Sequence, residues 1–162
     1  MQEFQTFVTH LECSYTGKSY PADQLHGLSD AGKPLLVRYD LDALGKAITK
    51  NDLKSRLPEF WRYREFLPVR RSENVVRLGE LMTPLLPATR TQQELGCGEI
   101  LIKDEGRLPT GSFKARGLAL AVAMAKELGV RRMAMPTNGN AGAALAAYCS
   151  RADIETFVFC PE

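Results

Sequence analysis

Between Glu99 and Cys160 short apolar runs alternate with longer alanine- and leucine-rich stretches, and this alternation restricts the possible folds more than any other feature. Ile100-Leu101-Ile102-Lys103 reads as a strand, Ser112 to Leu128 as a helix ended by Gly129, and Arg132 to Met135 as a second strand. Asn140 to Ser150 reads as a second helix. Ile154 to Cys160, carrying Phe157, Val158 and Phe159, has the content of a buried third strand. The order β-α-β-α-β predicts an α/β fold, a parallel sheet with flanking helices on right-handed crossovers.

The pattern before Thr83-Pro84 is irregular. Pro34 to Tyr39 reads as a short strand, Leu41 to Lys54 as one weak helix, and Pro58 to Leu67 as a helix started by its proline. Residues 1–80 are therefore expected to form a small irregular α+β extension, and residues 81–162 the start of the main α/β domain. The last residues, Phe159-Cys160-Pro161-Glu162, directly follow a strand, where such a domain would run on into a further helix. Three strands and two helices leave a sheet edge uncovered, so the expectation is a chain cut short, with a homodimer as one way to cover that edge.

Composition narrows the partners. With 44% hydrophobic and 25% charged residues the chain can build a sizeable core. The formal charge is only +2, and the basic residues are dispersed, which argues against nucleic acid or an anionic membrane as partner. The densest basic stretch, Arg62 to Arg71, also holds Trp61, Tyr63 and Phe66, and reads as a helix with one buried and one solvated face. No leader-like start and no membrane-length apolar window occurs, so the expected setting is cytoplasmic. Cysteines 13, 97, 149 and 160 form no CxxC pair, which favours reduced structural thiols over a disulfide framework or a zinc site.

Open α/β sheets place ligands beyond the carboxyl ends of their strands, and two loops there are unusual. In Pro109-Thr110-Gly111-Ser112-Phe113-Lys114, Ser112 is the expected N-cap and Lys114 falls in the first helical turn, a poor place for a cation. Two readings stand: a solvated lysine, or an amine whose neutral, nucleophilic form is favoured by the positive helix end. The second loop, Pro136-Thr137-Asn138-Gly139-Asn140-Ala141-Gly142, offers amides, a hydroxyl and backbone N–H groups at a helix start. That equipment suits a carboxylate or phosphate, and it equally suits an ordinary capped helix.

The pair of loops, in this order, resembles the fold-type II pyridoxal-phosphate enzymes, the group of threonine synthase, serine/threonine dehydratases and cysteine synthase. The S-F-K-x-R-G motif is matched by Ser112, Phe113, Lys114, Arg116 and Gly117, and Met82-Thr83-Pro84-Leu85 resembles a segment ahead of the family's first catalytic strand. Pro109-Thr110-Gly111 and the stretch Leu11 to Gly17 are similar to threonine synthases in particular. Some relatives carry a C-x-x-C-G knuckle there; this chain has Cys13 but Thr16 in place of the second cysteine, which argues against zinc. The chain also has Ala115 where an aspartate is common, and Asn138 and Ala141 where serine and threonine are common in the carboxylate loop.

The resemblance implies that Lys114 holds pyridoxal 5'-phosphate covalently and is the catalytic base. It further implies that Asn140 contacts the cofactor ring, and that Thr137, Asn138, Gly139, Asn140 and Ala141 embrace a substrate carboxylate. No metal is implied. The implied reaction is conversion of O-phosphohomoserine and water to threonine and phosphate, with a dehydratase, a β-replacement enzyme or a non-catalytic fragment of the fold as alternatives. The loop that holds the cofactor phosphate lies further along in relatives, so the 162-residue chain is expected to bind pyridoxal phosphate weakly and to be inactive alone. Gly17-Lys18-Ser19 is not a phosphate-binding loop, because the glycine that spacing requires falls at Glu12. His10 and His26 have no catalytic partner recognisable in sequence.

Overall fold

A computed structural model describes residues 3–161. The first part is an antiparallel sheet of β1 (Val8–Cys13), β2 (Ser19–Tyr20) and β3 (Leu35–Tyr39), in the order β2-β1-β3. The expected single helix from 41 to 54 is instead two, α1 (Leu41–Ala47) and α2 (Lys50–Lys54). Thr49 separates them because its hydroxyl accepts from the Asp52 amide while Asp52 answers the Thr49 amide, a capping box that starts a new helix. The proline-started helix is a 3-10 segment, Phe60–Phe66, kinked at Tyr63.

The second part holds β4 (Leu85–Pro87), α3 (Thr89–Leu95), β5 (Leu101–Lys103), α4 (Lys114–Glu127), β6 (Arg132–Pro136), α5 (Asn140–Ala152) and β7 (Glu155–Phe159). One correction to the sequence expectation is topological. Strand β5 does not join the parallel sheet; it pairs antiparallel with β4, Leu86 opposite Ile102, in a ribbon of its own. Among the described residues only β6 and β7 pair in parallel, with α5 as their crossover. The sequence pattern could not separate these cases, because a three-residue apolar strand carries no signal for its partner's direction.

Both long helices form for the same reason. Alanine and leucine favour the helix, and the buried residues Ala115, Leu118, Ala119, Val122 and Ala123 of α4 recur at the spacing of one helical face. That face meets Leu145, Tyr148 and Cys149 of α5 in one core, and Trp61, Leu67, Val69 and Val76 from the preceding segments complete it. Trp61 is 2% exposed, and its indole N–H donates to the Val76 carbonyl at 3.1 Å, so its polar atom enters the core satisfied. The core thus fixes the relative placement of the two helix starts. Among the described residues no helix is long and apolar enough to cross a membrane.

Candidate functional site

Parallel register brings the site together. Pro136 lies opposite Phe159, so β6 and β7 end side by side and the segments that follow open on the same face. The Thr137 amide donates to the Phe159 carbonyl at 2.9 Å, which anchors the loop between β6 and α5. Gly139 then adopts φ 146°, ψ −89°, a conformation that a side chain would strain. The Thr137 hydroxyl oxygen accepts from the amides of Gly139 and Gly142, each at 3.1 Å. That oxygen therefore shapes the loop, and its hydrogen is the atom left to donate.

Helical geometry gives the amides of Asn140 and Ala141 no carbonyl a turn behind them, and they stand at the positive end of α5. Gly142 sits where the helix crosses closest to the strand. A Cβ there would lie 2.4 Å from Thr137 Cγ2 and 2.7 Å from Val158 Cγ1, so the backbone approach requires glycine.

Lys114 is the first residue of α4 and is half-buried. Its Nζ stands 4.4 Å from the centre of the Phe113 ring, a cation–π contact, and among the described residues it joins no ion pair. Lys114 and residues 136–141 line one open cleft of about 850 Å³, whose remaining wall is Phe159, Cys160 and Pro161. Every residue that the sequence nominated, Lys114, Thr137, Asn138, Gly139, Asn140 and Ala141, is on that cleft.

Other features depart from the expectation. Ser112 is not the cap of α4: Phe113 occupies the cap position without a side-chain hydrogen bond, and the buried Ser112 hydroxyl finds no partner among the described residues. Arg116 instead grips Glu105 with two hydrogen bonds, at 2.6 and 2.9 Å, and the Thr83 hydroxyl donates to the same carboxylate. The Arg116 guanidinium, opposed in part by burial and aided by Thr83, holds the Glu105 carboxyl down to about 2. Phe159, Cys160 and Pro161 were not singled out from sequence as cleft residues. The signal was the strand register, since a loop after β7 must lie beside the loop after β6.

In the first part, buried Cys13 is met by the Ser29 hydroxyl at 3.1 Å and by the Thr16 amide at 3.4 Å. These contacts, Ser29 first, draw its thiol down to about 6. All four cysteines are unpaired with one another.

An unpaired amine facing a glycine-shaped helix start suits an aldehyde-bearing cofactor and an anionic substrate, so the residues present fit pyridoxal phosphate at its reactive end. Residues 76–162 match the model of the pyridoxal-phosphate dependent enzymes, over more than half of the chain. The chain belongs to that family. Its relatives include the threonine synthase of Methanocaldococcus jannaschii, 37% identical over 150 residues, which are 93% of this chain and 37% of that protein. The threonine synthase of Methanosarcina acetivorans is 36% identical over 94% of this chain and 37% of its own length. That of Halalkalibacterium halodurans is 46% identical over 62% of this chain and 28% of its own length. The chain is a threonine synthase homologue of fold type II that spans about 37% of the length of the first two relatives.

Proposed function

We propose that this chain supplies the lysine-bearing part of a cytoplasmic threonine synthase, which converts O-phosphohomoserine and water to threonine and phosphate. The observation that carries the reading is the single cleft in which Lys114 faces the loop 137–141. Pyridoxal phosphate, when bound, supplies the electron sink for carbanion chemistry. Lys114 holds it through the ε-amine and then moves protons among Cα, Cβ and Cγ of the substrate. The Asn140 and Ala141 amides and the Thr137 hydroxyl hydrogen hold the substrate carboxylate at the positive end of α5, and the Asn140 side chain steadies the cofactor ring. Asn138 and Ala141 narrow the choice of hydrogen bonds, because Ala141 has no hydroxyl to donate.

Product analysis tests the reading. With pyridoxal phosphate and O-phosphohomoserine, the complete enzyme that contains this part should form threonine and phosphate in equal amounts. Ammonia and an oxo-acid from L-threonine, without threonine formation, would favour a dehydratase; displacement at an activated serine would favour a β-replacement enzyme. Threonine synthase is preferred because the similarity to two of those enzymes covers 93% and 94% of this chain, and so takes in most of the first 80 residues as well.

A further inference from the structure

We propose that the Glu105–Arg116 ion pair is a positioning device for Lys114, doing from the loop what an N-cap does elsewhere. The proposal rests on Lys114 being the cofactor lysine. Helix α4 begins with two cations, Lys114 and Arg116, and has no acid in its first turn. Cations at the positive end of a helix are unfavourable, and this helix also lacks a side-chain cap. The hydroxyls of Thr110 and Ser112, in the loop just before it, are buried and find no partner among the described residues. Something else must hold the start of α4.

Glu105 is that group. It lies eleven residues before Arg116, at the far end of the loop that leads into the helix, and its carboxylate accepts both guanidinium hydrogen bonds. Thr83 ties the same carboxylate to the segment before β4, and the Lys103 ammonium donates to the Thr83 carbonyl at 2.6 Å. One carboxylate thus references the first turn of α4 to the β4–β5 ribbon, and places negative charge where the helix start lacks it. The pair differs from a surface bridge such as Arg90–Glu94, whose side chains are 91% and 59% exposed; here the values are 28% and 23%. A bidentate, half-buried pair locks geometry, whereas an exposed one is screened and mobile. Arg116 is two residues beyond Lys114 in the same turn, so freeing it frees the lysine's backbone.

The test uses Arg116→Gln, Arg116→Lys and Glu105→Gln with two readouts. The first, amide hydrogen exchange over residues 106–117, needs no cofactor: Arg116→Gln should exchange there about tenfold faster or more, with the core face of α5 unchanged. The second is the share of borohydride-stable pyridoxal-phosphate label at Lys114 relative to the other lysines, which should fall about tenfold in Arg116→Gln. Arg116→Lys should recover part of it, since lysine keeps the charge but not the fork. Wild-type exchange rates over 106–117, or a wild-type share of label at Lys114, in Arg116→Gln overturns the proposal. If Arg116→Gln does not fold, Glu105→Gln, which keeps the side-chain shape, gives the same two readouts. If Lys114 takes no label in the unaltered protein, the cofactor role fails, while the exchange rates still decide whether the pair holds the helix start.

Discussion

Replacing Gly142 by alanine should damage the protein out of proportion to one methyl group. The added Cβ would sit 2.4 Å from Thr137 Cγ2 and 2.7 Å from Val158 Cγ1, and neither is the end of a flexible chain. Thr137 cannot swing away freely, because its hydroxyl holds the amides of Gly139 and Gly142. Overpacking of this kind costs about 3 kcal/mol, and the better helix propensity of alanine returns less than about 1 kcal/mol. The net loss is about 2 kcal/mol, which for a chain of this size lowers the melting temperature by about 4–8 °C. Urea and thermal unfolding followed by circular dichroism measure it. Adding Thr137→Ser removes the worse contact while keeping the hydroxyl, so the double variant should regain about half the loss. Gly142→Ala within about 0.5 kcal/mol of wild type, or no recovery in the double variant, would refute the close-approach reasoning.

Other expectations follow from the ionisable groups. Glu105 has its pKa lowered in the fold, to about 2. Its contribution to stability is therefore complete above the ordinary carboxylate range near 4.5 and is lost as pH falls from there toward 2. Arg116→Gln should flatten that part of the stability profile, and urea midpoints at pH 5 and pH 3 that shift equally in both proteins would contradict it. Tyr148 is fully buried and donates to Glu80, whose other oxygen has no partner among the described residues. Burial first, and Glu80 second, push its phenol up, so the associated stability is present below about pH 10 and is lost above it. Tyrosinate absorbance from Tyr148 should thus appear only with unfolding at alkaline pH. Tyr148→Phe strips the buried carboxylate of a donor and should cost about 3 kcal/mol in urea unfolding.

The sequence was informative where local chemistry decides structure. Helices α4 and α5 were legible from periodicity because each buries one face, strands β6 and β7 from their apolar content, and the loop 137–142 from its glycines and amides; the expected burial of β7 does not hold, since Phe157, Val158 and Phe159 are exposed. Strand β5 was placed in the wrong sheet, since the direction of pairing is set by residues 85–87, too short a run to announce itself. Ser112 looked like a cap because serine before a helix usually is one; its hydroxyl is buried instead, and Arg116 reaches back to Glu105 across a separation that no local rule covers. Cys160 and its neighbours entered the cleft through strand register, a tertiary fact.

We propose Lys114 as the one amine, among the described residues, prepared for pyridoxal phosphate. Lys114 is half-buried and outside the core, so Lys114→Ala should change stability by less than about 0.5 kcal/mol. Treatment with pyridoxal phosphate, reduction with borohydride and peptide mapping, on the unaltered protein and on Lys114→Ala, is the most direct measurement. Label concentrated at Lys114 and lost in the variant is the predicted result; label spread over the exposed lysines in both proteins would contradict the account.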